Sequence, residues 1–195
     1  MDSGSARSEI SSSPAVDKYH YNGGSTMFKK LLKPILCSAM IGAVGILSCV
    51  PASAAGVATL GSFDLVDSGK HLDWDGTTNY MVQFTAAVNT WNNYKTGVIR
   101  KDSGSVIEDV AISDCSGDGS TIVSIYSSGK IKFNQTVMDT HTDSQKKSDC
   151  LYALGIALGL GGTTNTSDVM YKYTSSVTTL SSNDKASYDA AFKKY

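Results

Sequence analysis

Apolar and polar positions divide the chain into stretches of different character. Residues 1–26 are rich in Ser and Gly and show no apolar period, and residues 34–50 form a largely apolar run. Domain-like patterning starts further on. Residues 55–70 read as a leader with weak strand character at 63–66, and 71–74 predict a first short strand. Asp75-Gly76-Thr77-Thr78 supplies turn and capping chemistry. Tyr80, Phe84, Ala87, Val88 and Trp91 then recur at helical spacing, predicting an amphipathic helix that ends near Gly97. Four Val- and Ile-rich segments follow, at 98–101, 106–113, 121–126 and 130–134. Gly and Ser turns separate them, as expected of strands, and Ser127-Ser128-Gly129-Lys130 fits a hairpin connection. Thr142 with Gln145 three residues later is a capping box, opening a second helix over about 143–158. In that helix Leu151, Leu154, Ala157 and Leu158 should face the core. Residues 161–165 read as a loop, and Ser182-Asn183-Asp184 caps a last helix through Tyr188, Ala191 and Phe192. The pattern is that of an α+β domain.

Charge and cysteines refine this picture. Within 195 residues, Phe28-Lys29-Lys30-Leu31-Leu32-Lys33 followed by the apolar run and Ala52-Ser53-Ala54 has the order of a secretory signal ending in an A-x-A cleavage site. Residues 1–26 are then an upstream extension or a tag, 27–54 the signal, and 55–195 a single secreted, extracellular domain. An uncleaved anchor and lipidation at Cys49 are the alternatives. The domain carries 12 Lys and Arg against 15 Asp and Glu, a net charge of −3, with no clustered basic face of the kind nucleic acid requires. Cys115 and Cys150 are its two cysteines. An even count in an oxidising compartment makes a disulfide between them the expectation, two buried thiols being the other possibility.

The candidate chemistry lies in Tyr152-Ala153-Leu154-Gly155-Ile156-Ala157-Leu158-Gly159-Leu160-Gly161-Gly162 and the downstream Ser167-Asp168-Val169-Met170-Tyr171. This resembles the zinc-binding H-E-x-x-H-x-x-G-x-x-H consensus and Met-turn of the metzincin peptidases with every chemical residue replaced. Tyr152, Ile156 and Gly162 stand at the three histidine positions, Ala153 at the glutamate, and Met170 in the turn. Ala87-Val88-Asn89-Thr90-Trp91-Asn92 is similar to the first helix of matrixin-like members, and Gly129-Lys130-Ile131-Lys132-Phe133-Asn134 to the strand before their active-site helix. The resemblance implies a metzincin, matrixin-like fold: a twisted, mostly parallel sheet, an N-terminal helix, a former active-site helix, the Met-turn and a C-terminal helix. It implies zinc for the family, yet a catalytic zinc site needs about three imidazole, thiolate or carboxylate ligands, and none stands at these positions. Nor is there a base at residue 153 to take a proton from water.

The expectation is therefore a pseudopeptidase: a monomer with no cofactor, binding an extracellular protein or peptide in a relic groove along the sheet edge. Other chemistries are thin. His71 and His141 are the only histidines after residue 54, and His141 lies eleven residues from Tyr152. Asp114 and Asp118 could offer oxygens to calcium, but an acidic turn explains them as well. A metallopeptidase by descent is one alternative. A membrane-active factor built on Gly155-x-x-x-Gly159 is another, although the apolar stretch there is short of the ~20 residues a bilayer span needs.

Overall fold

Alternation along the strands decides which side chains meet the helices. The computed structural model describes residues 55–104, 108–117 and 119–195, together with one upstream strand. The expected signal at 27–54, with Cys49, lies outside the described residues, as does Asp118. The elements are β1 (Tyr19–Tyr21), β2 (Leu72–Gly76), α1 (Met81–Asn92), β3 (Ile99–Lys101), β4 (Val110–Cys115), β5 (Val123–Tyr126), β6 (Lys130–Asn134), α2 (Gln135–Met138), α3 (Asp143–Ala157) and α4 (Ser182–Phe192). One sheet has the order β1-β5-β6-β4-β2-β3, and every neighbouring pair is parallel except the β5–β6 hairpin. The chain is thus α+β with a mostly parallel sheet.

Register aligns the apolar positions into a continuous stripe. Leu72 pairs with Ile99, Trp74 with Val110, Ile112 with Ile131, Ile131 with Ile125, and Phe133 with Val123. All ten are buried. They face α1 and α3, where Phe84 stands edge-on to Trp74 at 5.0 Å and to Phe133 at 6.1 Å. Fully burying each such side chain contributes about 1.5–3 kcal/mol. The opposite sheet face carries Asp73 and Arg100, paired in register. Arg100 donates through Nε and Nη2 to the two Asp73 oxygens at 2.7 and 2.6 Å.

Several boundaries depart from the sequence pattern for tertiary reasons. No strand forms at 63–66. That segment instead runs along the end of α3, where Leu65 N–H donates to the Ala157 carbonyl and Gly61 N–H to that of Gly159. The strand expected at 106–113 is displaced to Val110–Cys115, residues 105–107 lying outside the described set. The α1 start has no side-chain cap of its own at Tyr80. Asp114 of β4 instead holds the segment that leads into the helix, accepting from Asn79 N–H at 2.8 Å and from the Thr78 hydroxyl. Gln135 donates to the same carboxylate at 3.2 Å, so Asp114 ties the lead-in to α1 to the start of α2. The cap of α4 is Ser181, one residue earlier than the Ser182-Asn183-Asp184 pattern suggested. Short α2, capped by Asn134, has no apolar period long enough to announce it. Part of the upstream extension, Tyr19–Tyr21, pairs with β5 and is a strand.

The expected Cys115–Cys150 disulfide is not formed; both residues are thiols. Strand parity gives the reason. Val110 and Ile112 of β4 point into the core beneath the helices, so Cys115, of opposite parity, is directed to the other face of the sheet. Cys150 is fully buried within α3, on the helical side. A bridge would have to cross the sheet. Alkylation of the native chain, mapped by peptide mass spectrometry, should therefore label Cys115 readily and Cys150 only after denaturation. Equal labelling under native conditions would contradict the packing of α3, and resistance of both thiols until reduction would restore the disulfide.

Candidate functional site

The residues that resemble a metal-binding segment sit in the most buried helix among the described residues. Thr142 caps α3 by accepting from Gln145 N–H while the Gln145 side chain accepts from Thr142 N–H at 2.9 Å, closing the expected capping box. From Ser148 to Ala157 every α3 residue is buried. Tyr152 and Ile156, one turn apart, therefore lie against protein and not solvent, at 5% and 3% exposure, with Ala153 at 0%. The helix ends in a Schellman motif. Leu160 N–H donates to the Gly155 carbonyl and Gly159 N–H to that of Ile156, both at 2.9 Å. Gly159, at φ +83°, holds the left-handed conformation that this exit demands. The Tyr195 hydroxyl donates to the Leu158 carbonyl, closing off the helix end.

Beyond the exit, the chain returns beneath α3. Thr163 N–H donates to the Met170 carbonyl at 2.7 Å and Lys172 N–H to the Thr163 carbonyl at 3.0 Å, a bridge that pins the turn to the loop after the helix. Two buried aspartates hold its shape. Asp168 accepts from Thr163, Asn165, Ser181 and Asn183 side chains at 2.8–3.3 Å. Asp184, in the first turn of α4, accepts from the backbone N–H groups of Val169, Met170 and Ser181. Buried carboxylates satisfied by this many donors rigidify the segment they bind.

The turn delivers Met170 to Gly155. A Cβ on Gly155 would collide with the Met170 sulfur and stand 3.1 Å from Trp91 Cζ2. Trp91 in turn donates from Nε1 to the Leu151 carbonyl at 3.1 Å and stacks edge-on against Tyr188 of α4 at 5.4 Å. On the adjoining side, the Tyr152 phenol oxygen lies 2.6 Å from the place a Cβ on Gly162 would take. Tyr152 and Gly162 thus come together, and the phenol fills the space between them. The donor set at 152, 153, 156 and 162 is a phenol, a methyl, a branched alkyl group and a bare backbone. It does not fit zinc, whose ligands in proteins are imidazole, thiolate or carboxylate. Beside Gly162, an open polar depression of about 360 Å³ is lined by Thr59, Thr163, Thr164, Asn165 and Asn183 among others.

Two further groups of titratable side chains lie apart from this convergence. His141 Nδ1 is 2.8 Å from Asp149 Oδ2, both nearly buried, one helical turn before Tyr152. Sequence reasoning missed this pair, because the loop between α2 and α3, and no local spacing, brings His141 back onto the helix. Asp67, Asp73 and Asp109 gather on the other sheet face with oxygens within 4.8 Å of one another. Each has a donor: His71 N–H for Asp67, Arg100 for Asp73, and Asp73 N–H for Asp109. Burial raises the Asp109 pKa, the Asp73 N–H opposes that, and the neighbouring Asp67 and Asp73 charges add to the rise. His71 stands beside Asp67, removed from the α3 positions.

No protein-family model matches this chain, and no curated protein matches it.

The Gly155 notch makes a direct prediction. Gly155→Ala should gain about 1 kcal/mol of helix propensity but lose about 1–3 kcal/mol to overpacking against Met170 and Trp91. Urea denaturation should show a net loss in the wild-type background and none, or a gain, in a Met170→Ala background. Equal effects in both backgrounds would mean that Met170 does not occupy the notch.

Proposed function

We propose that this chain is a secreted, matrixin-like pseudopeptidase, a non-catalytic extracellular binding or regulatory protein with no zinc ligands and no general base. One observation carries the proposal: the Tyr152 phenol occupies the space at Gly162, while Ile156 and Ala153 are buried on the same helix. An aromatic and aliphatic filling is what a metal site becomes once its imidazoles, ion and water have been replaced by packing. Further support comes from the element order, which runs helix, strands, capped helix, glycine exit, Met170 turn and final helix around a mostly parallel sheet. What remains usable on such a scaffold, in a chain from which β1 is absent or displaced, is the sheet edge at β5, where an extended peptide can add as a strand in its place.

Zinc itself would have to be dehydrated and then held by donors that these positions lack. Even a metal supplied from outside would find no base at Ala153 to deprotonate its water. The full chain purified without added metal should hold far less than one zinc per molecule by elemental analysis. It should also cleave no peptide library, with or without added zinc. Near-stoichiometric zinc together with chelator-sensitive cleavage would overturn the proposal and return the chain to the metallopeptidases.

A further inference from the structure

The two edges of the sheet are protected in different ways. At one edge, β3 places Arg100 and Lys101 within a three-residue strand, and cations of this kind discourage another strand from pairing. At the other, β5 lies in Thr121-Ile122-Val123-Ser124-Ile125-Tyr126-Ser127-Ser128, a β-prone run with no charge and no proline. Left bare, such an edge invites pairing with any extended chain. It is not bare. Residues Tyr19, His20 and Tyr21 pair in parallel with Val123, Ser124 and Ile125 and cover it.

The covering strand also has a telling place in the sequence. It lies upstream of the basic and apolar run at 29–50 and of Ala52-Ser53-Ala54, whereas the described core residues all fall between Leu72 and Ala191. Cleavage after Ala54 would remove the cover and leave the core intact. We propose that Tyr19–Tyr21 is a cis-acting strap that closes the β5 edge in any chain that retains the upstream segment, and that in a chain without it the edge accepts an extended peptide strand in its place. The identity of what enters rests on the peptide-edge function proposed above; the strap itself does not.

Full-length chain tests this without truncation. In the variant Tyr19→Pro/His20→Pro, proline removes the N–H at two consecutive positions. Successive N–H groups point to opposite sides of a strand, so at least one bond to β5 is lost. Hydrogen exchange should then quicken on the order of tenfold or more at the β5 amides that point away from β6, with α3 amides unchanged as the folding control. A labelled peptide of residues 16–23 supplied in trans should bind the variant. It should bind the wild type roughly tenfold more weakly or worse, because a tethered strand competes at an effective concentration on the order of mM. Unchanged β5 exchange in the variant would overturn the strap. Faster exchange with no peptide binding to either chain would sustain the strap and overturn the peptide-edge function. Binding to both chains alike would overturn the strap and leave the edge function standing.

Discussion

The absence of a side chain at Gly155 is the constraint on which the arrangement of helices turns. The notch on α3 lets the Met170 sulfur and the Trp91 ring come within contact of the helix backbone. Through Trp91 the notch reaches α1, and through the Trp91–Tyr188 edge contact it reaches α4. The Met170 turn reaches it only because Asp168 and Asp184 fix the loop from the side, using the α4 cap as the anchor. Three segments distant in sequence therefore meet at one volume the size of a methyl group, and α4 joins them through Trp91. Interiors packed at crystal-like density do not absorb a change there cheaply.

Much of this fold was legible in the sequence because local signals and tertiary packing agree. The Thr142–Gln145 capping box, the spacing of Tyr80, Phe84, Ala87, Val88 and Trp91, and the hairpin at Gly129 all describe what forms. Legibility fails where a residue is satisfied from far along the chain. Asp114 looked like part of an acidic turn, and its hold on Thr78 and Asn79 depends on β4 lying next to the segment that leads into α1. His141 had no spacing partner, and its link to Asp149 depends on the loop after α2. The cysteines misled for a different reason. Their even count spoke to redox chemistry, while strand parity, which sets Cys115 on the wrong face, decides geometry.

The site was legible in a narrower sense. Tyr152, Ile156, Gly159 and Gly162 were singled out by the pattern they resemble, and packing gives each a definite role: Tyr152 and Ile156 as filling, Gly159 as the helix exit, Gly162 as the space that the phenol enters. Their chemistry follows from the side chains themselves. With no metal ligand and no base, the energetic value of these positions lies in burial, about 1.5–3 kcal/mol for a large apolar side chain, and the binding we propose falls to the periphery. There the uncharged β5 edge differs from the cationic β3 edge.

The central claim of the proposed function is that Ile156, one helical turn from Tyr152, shares with Tyr152 and Gly162 one point now filled by side chains. Replacing them together, as Tyr152→His, Ile156→His and Gly162→His, removes the phenol that blocks Gly162 and places three imidazoles where the filling stood. Zinc titration followed by isothermal calorimetry and elemental analysis is the direct measurement. The account predicts one tightly bound zinc per triple-variant chain and none for wild type, since three convergent imidazoles with an open position suffice for the ion. A triple variant that folds, as judged by its α3 amide protection, but binds no more zinc than wild type would contradict the convergence.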